Sequence, residues 1–173
     1  MEEIQIKPKK IILTYGTLLG IILIVFSLML FSMDMQYERG FAVQGVQFLF
    51  IIAAAVIGVV QFKKVNEGFL KLSEALKIGA GVALIGGIIG TLYFLVFSNF
   101  IEPDFMVNSY EIGKQQALEA NPKLTSEQID QGIEIQKKFF SVFLIVGILF
   151  QVIIGLVAGL IGGLILKKAK PDY

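Results

Sequence analysis

Three polar side chains interrupt two of the long apolar runs in this sequence. Gln151 lies near the middle of one run, and Thr91 and Tyr93 lie at a similar depth in another. An amide in hydrocarbon needs a hydrogen-bond partner, although such bonds average only about 0.6 kcal/mol in measured membrane proteins. We therefore interpret Thr91 and Tyr93 as candidate partners of Gln151 in a structural hydrogen bond. The alternative is that these three side chains line a small polar cavity.

The residue types that catalysis and metal binding require are missing from the apolar runs. The chain contains no His and no Cys, and the cores of the runs hold no Asp, Glu, Lys or Arg. Ionisable residues inside membrane spans mark proton relays, ion paths and coupled carriers. The sequence also lacks a nucleophile–base pair and a zinc motif. We therefore predict a non-enzymatic protein with no catalytic residue, no cofactor and no metal, and we disfavour a proton-coupled carrier.

Small residues recur at four-residue spacing in the last two apolar runs, in the manner of a glycine zipper. These two faces consist of Gly79, Ala83 and Gly87 in the third run and of Gly155, Gly159 and Gly163 in the fourth. Small residues let helix backbones approach closely, and such packing is the main source of helix association in lipid. We predict that the third and fourth runs pair through these faces within one chain. A homodimer interface and a flexible hinge are the alternatives.

Four apolar runs must position these residues, and they cover residues 11–32, 41–62, 76–100 and 139–166. Each exceeds the roughly 20 residues that cross a hydrocarbon core of about 30 Å. The chain is 17% charged, whereas soluble domains are about 25% charged. Runs of this length without period-2 alternation favour helices over barrel strands. We predict an all-α fold, an integral membrane four-helix bundle that forms a single domain over residues 1–173.

Basic residues predict which side of the membrane each end of the bundle faces. Ten of the 15 Lys and Arg residues lie in the two tails and in the loop between the second and third spans, Lys170 among them. The other five, including Arg39, lie on the opposite side. Because cytoplasmic loops carry an excess of Lys and Arg, we predict that both termini are cytoplasmic. The net charge of +1 gives no reason to expect nucleic acid as a partner.

The segment 101–138 is the one sizeable stretch outside the spans. Pro103 stands between two acidic residues, which suits the first turn of a helix. Thr125 and Gln128 have the spacing of a capping box, so we predict that a second helix begins there and runs without a break into the fourth span at Phe139. The result is an extracytoplasmic helical hairpin between helices 3 and 4, whose acidic residues form a solvated face.

Five short segments share a pattern with known sequences: residues 15–16, 72–79, 99–105, 126–129 and 137–139. In these segments the chain resembles a bacterial family of four-span membrane proteins catalogued as domain of unknown function 4199. The resemblance covers nearly the whole chain and is most specific at the end of the third span and the start of the outer loop. It implies the four-span fold and a bacterial inner-membrane location. It brings no established activity, so no catalytic residue carries over.

Two functional classes remain open on these grounds. The first is a non-enzymatic accessory, scaffold or interaction subunit, whose partners are the lipid bilayer and a second copy or another membrane protein. The glycine-rich faces and the structured outer hairpin favour it. The second is a small transporter or channel that acts as an oligomer, with Gln151, Thr91 and Tyr93 lining its path.

Overall fold

The computed structural model describes residues 7–38 and 40–168, and this part of the chain is helical without a strand. Its elements are α1 (Lys9–Ser32), α2 (Phe41–Val65), α3 (Leu72–Val96), a π-helical turn (Phe97–Ile101), α4 (Phe105–Ala120), α5 (Ser126–Lys138) and α6 (Phe140–Leu166). Four of them, α1, α2, α3 and α6, are long and apolar enough to cross a membrane. The predicted all-α four-span bundle is confirmed. Arg39 and Lys170, which contributed to the predicted orientation, lie outside the described residues.

The central helix of the bundle is α3, which makes its most extensive contacts with α6 and then with α1. The start of α1, the α2–α3 loop and the end of α6 form one end of the bundle, named here the terminal end. The opposite end carries α4 and α5 and is named the hairpin end. Two backbone hydrogen bonds join the loop to the end of α6 at the terminal end: Leu70 N–H to Lys168 O at 2.9 Å and Lys168 N–H to Leu70 O at 3.0 Å.

The tightly packed core lies in the half of the bundle next to the terminal end, named here the terminal half. Its largest fully buried side chains are Leu19, Val59, Phe62, Leu70, Ile78 and Val82. By contrast, most of the large apolar side chains of α6 remain exposed, as Ile153 and Leu164 do. A helix that is apolar on all sides suits a lipid environment, so the exposed sides of the spans are the surfaces that meet hydrocarbon.

The hairpin forms as predicted in outline, with three differences at its junctions. Pro103 precedes α4, which begins at Phe105, and does not lie in its first turn as predicted. Thr125 Oγ1 accepts a hydrogen bond from Gln128 N at 3.3 Å, and Gln128 Oε1 accepts one from Thr125 N at 3.1 Å, which completes the expected capping box. The predicted unbroken run from α5 into α6 is wrong, because Phe139 leaves the helix with φ −105° and ψ 22°. The third span ends in the π-helical turn, which the apolar pattern did not indicate.

Candidate functional site

Helices α3 and α6 touch through their small residues in the terminal half. A Cβ atom placed on Gly79 would overlap the carbonyl oxygen of Gly155. One placed on Gly159 would lie 2.6 Å from the carbonyl oxygen of Ala75, and one on Gly163 would lie 2.7 Å from the Ala75 Cβ. These distances are shorter than van der Waals contact. The two backbones therefore approach as closely as glycine permits.

Toward the hairpin end the same faces separate. Ala83 still contacts this interface, since a Cβ on Gly155 would lie 2.5 Å from the Ala83 Cβ. Gly87 is different, because its nearest neighbour is the side-chain oxygen of Gln151, at 3.2 Å from a placed Cβ. Gly87 is thus the last residue of the predicted face, and it meets an amide rather than the backbone of α6.

A second small-residue contact, between α1 and α3, was not singled out from the sequence. A Cβ on Gly86 would lie 2.6 Å from Leu19, and one on Gly81 would lie 2.7 Å from Ile12. On the facing side, a Cβ on Gly16 would lie 2.5 Å from the Ile85 Cβ. Gly81 and Gly86 lie on α3 next to the residues of its four-residue series. These additional glycines in the sequence of α3 could have indicated a second close helix contact.

Beyond Gly87 the four spans enclose a cavity of about 520 Å³ in the hairpin half of the bundle. All four contribute to its lining, for example Leu23 from α1, Phe48 from α2, Gly90 from α3 and Ile148 from α6. Lining residues from α6 extend no deeper toward the terminal end than Ile154. Since the next glycine of α6 contacts α3 directly, the cavity ends where the small-residue packing begins.

The three polar residues singled out from the sequence, Gln151, Thr91 and Tyr93, all line this cavity. Gln151 Nε2 and Tyr93 OH are buried and have no hydrogen-bond partner within the described part of the chain. The predicted hydrogen bond between Gln151 and its neighbours on α3 is therefore not formed through these atoms. A buried polar group left unpaired costs about 1–3 kcal/mol. Gln36 Oε1, from the α1–α2 loop, is a third such atom in the lining.

Aromatic contacts surround the cavity and hold its walls. Phe48 of α2 packs on Phe150 of α6 with ring centroids 6.1 Å apart, and Phe94 of α3 packs on Phe140 of α6 at 6.3 Å. Rings of this size keep the helix axes further apart than glycine does. Gln44 of α2 and Gly147 of α6 line the cavity and are exposed, which places an opening between these two helices.

A polar latch joins the α1–α2 loop to the start of the hairpin. The Tyr37 hydroxyl donates to Glu102 Oε1 and accepts a hydrogen bond from Asn108 Nδ2 at 3.0 Å. The Tyr37 ring also stacks on Phe105 with centroids 5.3 Å apart and an interplanar angle of 14°. Burial raises the pKa of Tyr37, and the hydrogen bond to the Glu102 carboxylate raises it further. The latch crosses the hairpin end above the cavity, and Phe105 is also a lining residue.

The rest of the hairpin is held loosely. An ion pair joins Lys114 of α4 to Asp130 of α5 at 2.5 Å, and both side chains are partly exposed. None of the residues of α5 is buried. Beyond its neighbours α4 and α6, α5 has no extensive contact with a described helix. It therefore has no extensive contact with the spans α1, α2 and α3.

Comparison with known families fits this architecture. The family model described as "Protein of unknown function (DUF4199)" matches residues 14–168. The chain belongs to that family. The match runs through all four spans and the hairpin, so the resemblance seen in the sequence is confirmed. No curated protein and no solved structure matches the chain. Membership in the DUF4199 family therefore comes without an activity to transfer.

Proposed function

We propose that this DUF4199 protein acts by binding rather than by catalysis, as an accessory or interaction subunit of the bacterial inner membrane. The observation that carries the proposal is the one-ended cavity. It has volume and unpaired polar atoms in the hairpin half. In the terminal half the backbones of α3 and α6 are in contact. A cavity that is closed at one end suits a bound molecule better than a conducted one.

The hairpin supports the same proposal, because it offers a structured surface outside the spans. On α5, Ile135 is 55% exposed, and α5 has no buried residue. Under this proposal α5 faces a membrane protein partner or a second copy, and the termini are cytoplasmic, as the distribution of Lys and Arg predicts. The latch at Tyr37 then fixes the base of the hairpin relative to the cavity.

A small transporter that acts as an oligomer is the second candidate. It is favoured by the fact that Gln151, Thr91 and Tyr93 share one cavity. It requires a path through the terminal half, where Gly79 and Gly155 are in contact. It also requires that path to work without ionisable groups in the cores of the spans, which are the usual elements of coupled transport.

Flux measurements separate the two candidates. Purified protein in phosphatidylcholine vesicles should move neither potassium ions nor glycerol faster than protein-free vesicles do. A flux that Gln151→Leu abolishes would overturn the binding role in favour of transport. Gln61→Leu, which removes an amide from α2 away from the cavity lining, is the matched control.

Crosslinking in native membranes tests the interaction surface. A photoreactive residue at Ile135 should capture one defined protein, identified by mass spectrometry and then captured reciprocally from the partner. The control position is Ile165 on α6, which is 76% exposed and lies at the terminal end among lipid-facing residues. If only the monomer is recovered from both positions, the interaction role loses its main support.

A further inference from the structure

The cavity concentrates hydrogen-bonding groups that find no partner within the described part of the chain. Among the described residues, five buried side-chain atoms lack a partner. Three of these belong to cavity-lining residues: Gln36 Oε1, Tyr93 OH and Gln151 Nε2. Together they provide one acceptor, one hydroxyl and one amide donor. A molecule that satisfies all three must carry a hydrogen-bond acceptor, such as an ester carbonyl oxygen, and a donor, such as a hydroxyl group.

The charge of the lining indicates that this molecule is not an anion. Glu38 is the single charged side chain among the described lining residues, and no described Lys or Arg takes part. Proteins bind phosphate and carboxylate groups mainly through Arg and Lys. Inside a span such an anion would also need a partner for its charge. A phospholipid headgroup is therefore a poor match, whereas a neutral ester or alcohol fits.

The size, walls and opening of the cavity indicate a lipid. Its volume of about 520 Å³ lies within the range of small-molecule sites, about 300–1,000 Å³. Rings of Phe94, Phe143 and Phe150 line it beside the polar atoms. The opening beside Gln44 and Gly147 lies within the spans, so an amphiphile can enter from the bilayer without crossing water.

We propose that this cavity binds an uncharged glyceride, a diacylglycerol or a monoacylglycerol, with its glycerol end inside and an acyl chain leaving between α2 and α6. Gln151 Nε2 donates to an ester carbonyl. One free hydroxyl of the glycerol end accepts a hydrogen bond from the Tyr93 hydroxyl and donates one to Gln36 Oε1. The inference rests on the binding role proposed above and names its ligand. A soluble polyol could form the same hydroxyl hydrogen bonds, but it has no apolar chain to pack against the aromatic walls.

Competitive photolabelling tests the assignment. The full chain in phosphatidylcholine nanodiscs is irradiated with a tagged photoreactive diacylglycerol, and untagged competitors are added in excess. Dioleoylglycerol should remove most of the label, whereas dioleoyl phosphatidic acid and glycerol should leave it. Equal competition by phosphatidic acid would overturn the charge argument. Competition by glycerol would assign the site to a soluble polyol and overturn the lipid.

Two variants connect the label to the cavity. Gln151→Leu should weaken competition by dioleoylglycerol about tenfold, the effect of losing one buried hydrogen bond, and Gln61→Leu should not. Gly147→Leu should abolish labelling, because a Cβ there meets no described atom within 4 Å and a leucine side chain can occupy the cavity. Gly45→Leu, on α2 outside the lining and equally free of neighbours, is its control.

The outcomes distinguish this inference from the broader proposal. Labelling that survives both Gln151→Leu and Gly147→Leu overturns the glyceride site while flux stays absent and the binding role stands. Flux through the wild-type protein overturns the binding role itself. Thermal melts of each variant check folding, and the competition series on the wild-type chain decides the glyceride assignment even if Gly147→Leu does not fold.

Discussion

The two halves of this bundle use glycine in opposite ways. In the terminal half, Gly155 and Gly159 of α6 bring the backbone of α6 against that of α3. In the hairpin half, Gly147 of the same helix lines a cavity, and no described residue lies within 4 Å of a Cβ placed there. The difference lies in the residues around each glycine. Where α6 carries a series of glycines it packs closely, and where it carries Phe150 and Gln151 it stands away from its neighbours.

This contrast shows that a small residue in a membrane helix permits close packing without enforcing it. Packing in lipid has no hydrophobic driving force between helices, so contact area and hydrogen bonds decide where helices meet. Near Gly87 the facing side chain is Gln151. The halves therefore differ in density: one holds α3 against α6, and the other contains a cavity.

The largest effect on stability is expected from Gly159→Leu, which places a large side chain in the α3–α6 contact of the terminal half. A Cβ at this position would lie 2.6 Å from a backbone oxygen of α3, and backbone cannot move aside as a side chain can. We expect a loss of about 3 kcal/mol in the free energy of unfolding, the upper range for overpacking. Thermal melting of the purified protein in detergent measures it.

Leu160→Ala is the matched control for that variant. Leu160 is 38% exposed and neighbours the packed face without forming it. Its replacement should cost much less than Gly159→Leu does. Equal melting temperatures for Gly159→Leu and the wild type would show that the α3–α6 contact is not what holds the terminal half together.

A smaller effect is expected from Tyr37→Phe, which tests how the hairpin half is closed. The variant removes the hydroxyl that binds Glu102 and Asn108, and we expect a loss of about 2 kcal/mol because polar partners are left unpaired. Rapid proteolysis within α4 and α5, compared with the wild type, would report a loosened hairpin. An unchanged digestion pattern would mean that Phe105 stacking alone holds the latch.

The same residue predicts a dependence on alkaline pH. The pKa of Tyr37 is raised in the folded state. The stability that its hydroxyl contributes to the fold is therefore fully present below the unfolded-state pKa, about 10. Stability is then lost as the pH rises from there through the folded-state pKa, since the unfolded state loses the proton first. The difference in melting temperature between the wild type and Tyr37→Phe should therefore narrow above about pH 10. A constant difference would contradict the latch.

Gly147→Leu places in the hairpin half the same change that Gly159→Leu makes in the terminal half. The glycine is helical and free of neighbours, so the replacement should stabilise the fold by about 1 kcal/mol through helix propensity. A rise in melting temperature beside the fall for Gly159→Leu would sharpen the contrast between the halves. A fall of similar size in both variants would break it.

The smallest effect is expected from Lys114→Gln on the hairpin surface. The ion pair with Asp130 lies at the protein surface, and pairs of this kind contribute about 0–1 kcal/mol. We expect the melting temperature to stay within error of the wild type at physiological salt. A large decrease in melting temperature would contradict this expectation, because it would show that this ion pair is needed to hold α4 against α5.

Much of the fold could be predicted from the sequence because lipid imposes a strong and simple rule on span length. The second span was expected over 41–62 and covers Phe41–Val65, and the fourth was expected over 139–166 and covers Phe140–Leu166. The capping box at Thr125 could also be predicted, because it depends only on two residues three positions apart. The break at Phe139 and the π-helical turn were not, because both depend on how neighbouring helices join rather than on apolar pattern.

The candidate site was predictable only in its residue types. Gln151, Thr91 and Tyr93 stood out because polar groups are rare in spans, yet their depth alone could not tell a hydrogen bond from a cavity. That distinction depends on Phe48 and Phe150, which meet across two helices. The latch could not be predicted from the sequence for a similar reason, because Tyr37 and Glu102 are 65 positions apart in the chain.

The central position of α3 has a consequence for how the protein is made. Its main partner, α6, leaves the ribosome after the other three described spans. Until then, the small-residue face of α3 has only lipid to meet, and the backbone bridge from Leu70 waits for Lys168. A chain halted after the hairpin is therefore a three-span intermediate in which the small-residue face of α3 lacks its helix partner.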